Sequence, residues 1–458
     1  MKKKSNSNIP IITSVIIGAI TAVFVIYFMN NFGHEKEISQ EPSTFMSDAG
    51  PILQLSILED DADITATRNL VLDFTNFGNS SRDIKLIDSY TLTNETDTAQ
   101  TVQILYPIAT TFLDIARSLP TILLENNPLE IEFRSGDTTR LNIENHNWWR
   151  HYANIISDAT YQNQALAEMP NLNQTVTIYQ FTDVKSDFSR GEAPTLDISF
   201  NIDFSATTVL SYGFNGMSID TESGDMRKSF SIPRQEVMNV ERTYYMIVIG
   251  ENIEEMTIQG YENGGLNPGE EIDITFLLER YEMALSDVLM EIIEDFVNDW
   301  WTEENTSIFN PEMRLEIYRN VANILNDSEF SMDSEIFHHS AGMIEELISQ
   351  IIGHERIFYL TTELTIPASS AVDLTVNSYK QGSFDFYAAP RGNEGVNGFD
   401  MLPLSGSYLN LNQINIELVG YENIEIVRQN FGFDLTKNIT NIEIDVDELH
   451  YFIEVRMD

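Results

Sequence analysis

The longest apolar stretch of the chain runs from Ile9 to Met29, 21 residues reading IPIITSVIIGAITAVFVIYFM without a charged side chain. As a helix it is about 31 Å long, enough to cross the hydrocarbon core of a bilayer. Lys2, Lys3 and Lys4 precede it and no Lys or Arg follows until Lys36, which predicts an N-terminus inside and the rest of the chain outside. Its exit, Tyr27-Phe28-Met29-Asn30-Asn31-Phe32, offers no small-x-small pair. That favours an uncleaved anchor over a removed signal peptide. The expected N-terminal order is a cytoplasmic stub over 1–8, an anchor over 9–29 and a flexible polar spacer over 30–50.

Beyond residue 51 the period changes to two. Leu53 to Ile57, Asn69 to Thr75, Ile84 to Thr93 and Val102 to Tyr106 read as strands separated by Asn, Gly and Ser turns. Phe112 to Leu124 reads as a short helix broken at Pro120, and Trp148 to Met169 as another helix. The two-residue period returns at Thr175 to Tyr179, Thr195 to Phe204, Phe230 to Ile232, Tyr244 to Ile249 and Ile272 to Phe276.

A helical period then takes over. Leu278 to Trp301 places Tyr281, Leu285, Val288, Leu289, Ile292, Ile293, Phe296 and Trp300 on one face. Asn310-Pro311 opens a second helix, with an N-cap followed by proline in the first turn. A third carries Met343, Leu347 and Ile351 up to Gly353. From Ile357 onward alternation resumes, most regularly at Ile414 to Leu418 and Ile442 to Val446. The expected fold class is mainly β with a helical insertion. An N-terminal transmembrane helix precedes two β-sandwich-like domains, 51–275 and 354–458, separated by a three-helix segment over 276–353. Leu418 to Asn423 echoes Ile258 to Asn263 in four letters, a match short enough for chance.

The chain carries 71 acidic and 26 basic residues for a net charge of −45, and its exposed part, without the three leading lysines, carries −48. Such a surface repels phosphate backbones, so no nucleic-acid partner is expected. No cysteine occurs. Disulfides usually accompany export in eukaryotes, so their absence points to a bacterial, and more to a Gram-positive, surface.

The unit from Ser89 through Tyr90-Thr91-Leu92-Thr93-Asn94-Glu95 to Thr96, a short polar turn, and Thr101 to Pro107 resembles the opening hairpin of immunoglobulin-like β-sandwich modules. Such modules occur on bacterial membrane-anchored surface proteins, many of unknown function. The resemblance covers about twenty residues and implies a fold without an activity.

Candidate chemistry is sparse. Asp60, Asp61 and Asp63 form an acidic turn with oxygens suited to calcium but without the spacing of an EF-hand loop; no cofactor is expected beyond that candidate calcium. His338-His339 lacks the spacing of a zinc motif. The tryptophans occur as two pairs, and Trp149 and Trp301 are the candidate ligand-contact rings. No nucleophile motif or phosphate-binding glycine loop occurs, so no catalytic residue is assigned.

The expected function is a non-catalytic binding, adhesion or envelope-structural role for a single-pass cell-surface ectodomain. Its expected partners are the membrane and a protein or cell-wall polymer. The alternatives are an extracellular hydrolase acting on glycans through carboxylates, and an accessory subunit of a membrane complex.

Overall fold

The computed structural model describes residues 42–457 apart from 59–62, 79–81, 139–169, 187–192, 233–241, 265–268, 299–306, 328–341, 387–392 and 404–408. In chain order the first strands are β1 (Ser56–Ile57), β2 (Ile64–Asp73), β3 (Asp83–Asn94) and β4 (Gln100–Thr110). Helix α1 (Phe112–Arg117) and strands β5 (Thr121–Leu124), β6 (Asn127–Pro128) and β7 (Glu132–Thr138) follow. A second group comprises β8 (Thr175–Ser186), β9 (Thr195–Asn201), β10 (Thr207–Tyr212), β11 (Gly216–Asp220) and β12 (Asp225–Ser231). It ends with β13 (Tyr244–Gly250), β14 (Met256–Tyr261), β15 (Glu271–Ile272) and β16 (Ile274–Ala284). Helices α2 (Leu285–Asn298), α3 (Pro311–Asp327) and α4 (Ile344–Gly353) come next. Then come β17 (Arg356–Ile366), β18 (Ser370–Gln381), β19 (Ser383–Phe384), β20 (Val396–Met401) and β21 (Asn410–Val419). The last are β22 (Ile424–Gln429), β23 (Asn441–Ile444) and β24 (Tyr451–Met457). The described chain is mainly β with few helices.

The sheets do not divide at the helices. Strand β3 pairs with β18 along its whole length, from Asp83↔Gln381 to Asn94↔Ser370. Strand β4 pairs with β17 from Thr110↔Arg356 to Gln100↔Ile366, and β2 runs parallel to β21. The expected boundary between 51–275 and 354–458 is therefore replaced by a framework built from both ends of the chain. Its sheets are β23-β21-β2-β3-β18-β5-β6, β1-β4-β17-β7 and β19-β20-β24-β22. Strands β8 to β16 form an insertion of two sheets, β10-β13-β8-β16 and β11-β12-β9-β14-β15. Alternation specifies which face of a strand is buried, not its partner, so this long-range pairing had no local signal.

Strands β3 and β4 lie in different sheets. The unit expected as a hairpin is instead an arch that crosses between layers, and β17 to β18 makes the matching arch beside it. Asn94 fastens the two, its amide donating to the carbonyls of Thr98, Ile366 and Pro367 at 2.8, 3.1 and 3.0 Å.

Three local expectations also change. Residues 278–284 continue β16 against β8, in register from Leu278↔Phe181 to Ala284↔Thr175, and the helix starts only at Leu285. Ladder hydrogen bonds to β8 outweigh the helical period there, leaving Leu277 and Leu278 exposed. Pro120 ends the helix of 112–124 early, and β5 takes the remainder. Residues 42–50 of the expected spacer are tied down. Ser47 bridges Phe384 in both directions, Ala49 N–H donates to Ser383 Oγ at 2.9 Å, and Ser43 N–H and Oγ donate to the buried Glu454 carboxylate at 2.5 and 3.0 Å. The next residues, 50–57, are buried throughout, with only Ser56 and Ile57 in a strand.

Asn310 does cap α3, its side chain accepting from Met313 N–H at 2.9 Å. Gly260 lies in β14 while Gly420 turns at φ +67°, so the four-letter echo has no common geometry. Among the described residues no helix is long and apolar enough to cross a membrane, and residues 9–29 lie outside them.

The helices join framework to insertion. Val176, Ile178, Leu210, Tyr212, Ile247 and Ile249 project from one face of the β10-β13-β8-β16 sheet into the core that holds Leu285, Val288, Ile292, Ile344 and Ile348. The opposite face of that sheet, with Tyr179, Phe181, Val209, Met246 and Val248, closes the interior of the insertion against Leu196, Ile198, Met226 and Phe230. Burial on both faces explains the unbroken apolar run Tyr244 to Ile249.

Candidate functional site

Several strands carry a charged residue in phase with their buried apolar positions. Arg68 lies between Ala66 and Leu70, Asp88 between Leu86 and Tyr90, Lys228 between Met226 and Phe230, and Lys380 follows Val376 and Ser378. A charge cannot enter a core without partners, so these residues show where the molecule holds its polar chemistry.

Arg68 and Asp88 are adjacent strands' contributions to one fully buried pair. Arg68 Nε and Nη2 donate to the two carboxylate oxygens of Asp88 at 2.9 and 2.8 Å, and Nη2 also reaches Leu53 O at 2.8 Å. The hydroxyls of Tyr90 and Tyr106 donate to Asp88 Oδ2 at 2.9 and 3.0 Å. Burial lowers the affinity of Arg68 for its proton, but Asp88 outweighs it and holds the guanidinium above its ordinary pKa. Burial pushes both tyrosine hydroxyls well up. The cluster sets strand register and is closed to solvent.

Lys228 crosses the interior of the insertion. Its Nζ donates to Ser211 Oγ at 3.0 Å, and both residues are 0 % exposed. Glu345, at the start of α4, accepts from Gly213 N–H at 3.1 Å through Oε1, while its buried Oε2 has no hydrogen-bond partner. Ser211 N–H donates to Gly342 O at 2.8 Å, so the residues before α4 cover the edge of β10. Burial brings Lys228 down to about 8, with Glu345 opposing. Burial brings Glu345 up to about 7. A hydroxyl beside a partly deprotonated lysine is the composition of a nucleophile and its base. Here the pair is sealed, and what the arrangement can do is hold or exchange a proton at the joint between insertion and helix.

Lys380 is another buried cation of the framework. Its Nζ donates to Ala49 O and, at 2.9 Å, to Ala109 O, fastening the incoming chain. Burial lowers it, against the fields of Glu355, Asp48, Asp400 and Asp114. Asp400 and His450 lie 2.7 Å apart, both buried.

An open depression lies on the outer face of the insertion. Ser199, Asn201, Ser218, Asp220, Asp225, Arg227, Glu255 and Thr257 line a shallow depression of about 480 Å³ across β11, β12, β9 and β14. Strand alternation places these polar residues outward while Ile198, Phe200, Met226 and Phe230 enter the core. Two carboxylates are already engaged. Asp220 accepts from Glu222 N–H at 3.0 Å, and Asp225 accepts from Asn201 and Ser223 at 3.0 and 2.8 Å, which lowers its pKa. Arg227 pairs with Asp197, whose other oxygen is buried without a partner and whose pKa burial raises. Hydroxyl, amide and guanidinium groups on a rigid sheet suit a polar, extended ligand.

Of the residues singled out from sequence, Asp63 is exposed just before β2. Asp60, Asp61, Trp149, Trp301, His338 and His339 lie outside the described residues. Among the described residues no group of three or more His, Asp or Glu side chains is arranged to hold a metal ion. The buried charges were missed, although their signal was visible as a charged residue in the inward phase of an alternating strand. No protein-family profile matches the chain, and no curated protein matches it.

Proposed function

We propose that the chain is a single-pass, membrane-tethered ectodomain of a bacterial cell surface, N-terminus inside, with a non-catalytic binding role. The observation that carries the reading is the uncharged run Ile9 to Met29 behind three lysines, followed by a strongly acidic, cysteine-free chain. The outer face of the insertion, around Ser199, Arg227 and Thr257, is the binding surface of this reading. It takes an envelope polymer or a protein segment through hydrogen bonds.

The test combines topology with capture. Protease added to intact cells digests the chain beyond residue 42, and the full-length chain recovers an envelope component that the Arg227→Ala/Thr257→Trp variant recovers at least about tenfold less. Protection from protease overturns the orientation, and turnover of a glycan panel by the full chain overturns the non-catalytic role.

A further inference from the structure

We propose that the face formed by Met46, Arg82, Lys85, Tyr379, Phe384 and Phe386 lies against the outer leaflet of the bilayer that holds the tether. The inference rests on the tethered reading above and adds to it which side of the folded part meets the lipid.

Met46, Phe386 and Tyr379 are 60 %, 55 % and 53 % exposed, three of the most exposed large apolar or aromatic side chains among the described residues. They are held on ordered backbone. Ser47 and Phe384 bond each other at 3.0 and 2.9 Å, and Met46 N–H donates to Asp385 Oδ1 at 2.8 Å. The rings of Phe384 and Phe386 meet edge to face at 5.1 Å, and the Arg82 guanidinium sits 3.8 Å over Phe384. Gly382 N–H donates to Arg82 O at 3.2 Å, and Tyr379 is the cross-strand partner of Lys85. Two cations stand among the four apolar or aromatic side chains, Arg82 stacked on Phe384 and Lys85 beside Tyr379. Amphipathic side chains with an apolar body and a cationic rim are those that settle at a membrane–water boundary. Asp73, the cross-strand partner of Lys85 on β2, and Asp83 and Asp385 are the acidic neighbours, and the backbone of Met46 engages Asp385.

Position selects the bilayer as the occupant. Pro42 is only thirteen residues beyond Met29, a reach of at most about 45 Å when fully extended. Met46 follows four residues later, so this face is among the parts of the fold nearest in sequence to the anchor. A tether that short keeps a weak contact at high effective concentration. The exposed Leu277 and Leu278 of β16 lack this link to the N-terminal segment and sit beside Glu279 and Glu282.

The chain has no cysteine, so one label reports one place. Gln381→Cys at the rim of the face and Ser218→Cys on the outer face of the insertion are each labelled with a nitrobenzoxadiazole fluorophore. The full chain is then reconstituted in phosphatidylcholine vesicles containing phosphatidylglycerol and doxyl-lipid quencher. The expected result is a loss of about half or more of the emission at position 381, little loss at 218, and relief of quenching at 381 by Arg82→Glu/Phe386→Asp with the chain still in the vesicles. Retention by the vesicles without quenching at 381 overturns this face while leaving the tether standing. Quenching at 381 that the double variant does not relieve also overturns it. A chain that fails to stay with the vesicles overturns the tethered reading, and this inference with it.

Discussion

A strand in the framework and a strand in the insertion each carry a basic side chain into an apolar interior, and the two interiors treat it differently. Arg68 meets a carboxylate on the next strand with matched geometry, a backbone carbonyl and two supporting tyrosines. Lys228 donates to the Ser211 hydroxyl, and the carboxylate whose field opposes its burial, Glu345, arrives from a helix after more than a hundred residues of chain. Planar, bidentate pairing fixes a proton firmly. A desolvated ammonium with partial compensation holds its proton loosely. The framework's charge is thus built for register, and the insertion's for sensitivity to conditions at the joint with α4.

The largest expected effect breaks the first half of the comparison. Arg68→Ala leaves Asp88 buried and uncompensated and costs about 3–5 kcal/mol in urea denaturation, while Arg68→Leu/Asp88→Leu recovers a large part of the loss. A loss under about 1 kcal/mol for the single variant would show that the pair is not a keystone.

The second prediction concerns pH and sharpens the other half. The folded state raises Glu345 from 4.5 to about 7, so its contribution is fully present below pH 4.5 and is lost as pH rises through 7. The folded state lowers Lys228 from 10.5 to about 8, so its contribution is present above pH 10.5 and is lost as pH falls through 8. Between pH 7 and 8 neither helps, and the joint is least stable there. Ser211 and the Gly213 N–H from the insertion and Glu346 from α4 are among the groups facing it. Glu345→Gln should remove the decline between pH 4.5 and 7, and Lys228→Met the rise between 8 and 10.5, each by at most about 3 kcal/mol. Parallel stability curves for wild type and both variants would sink the assignment.

Smaller effects separate framework from helical layer. Asn94→Ala removes two hydrogen bonds between the two arches and a third within its own, and should lower stability by about 1–3 kcal/mol. Hydrogen exchange should quicken at Thr98, Ser369 and Ser370 before it quickens in β12. Asn310→Ala removes a helix cap and should cost about 1 kcal/mol, with faster exchange at Met313 and little change at Arg68. Equal loosening of both regions by either variant would mean that they do not open independently.

How much of this was legible in sequence depends on the range of the signal. The cap at Asn310, the helical faces of α2 to α4 and the alternation of β2, β3, β18 and β21 depend on neighbours within a few residues, and the chain states them directly. The end of β16 was misread because residues 278–284 fit a helical period, and only the presence of β8 decided otherwise. The open depression draws polar residues from four strands, none of which stands out alone. Lys228 and Ser211 were individually visible, but their meeting depends on two sheets facing each other.

By itself, then, the sequence determined the periods, the caps, the charge imbalance, the missing thiols and the uncharged run near the start. Tertiary structure alone decided that both ends of the chain share sheets, that β8 to β16 form an insertion between them, and which partners each buried charge meets. The reason is physical. A repeat of two or 3.6 residues is written locally, whereas closing a long excursion costs only a slowly growing entropy and leaves no mark on the residues that close it.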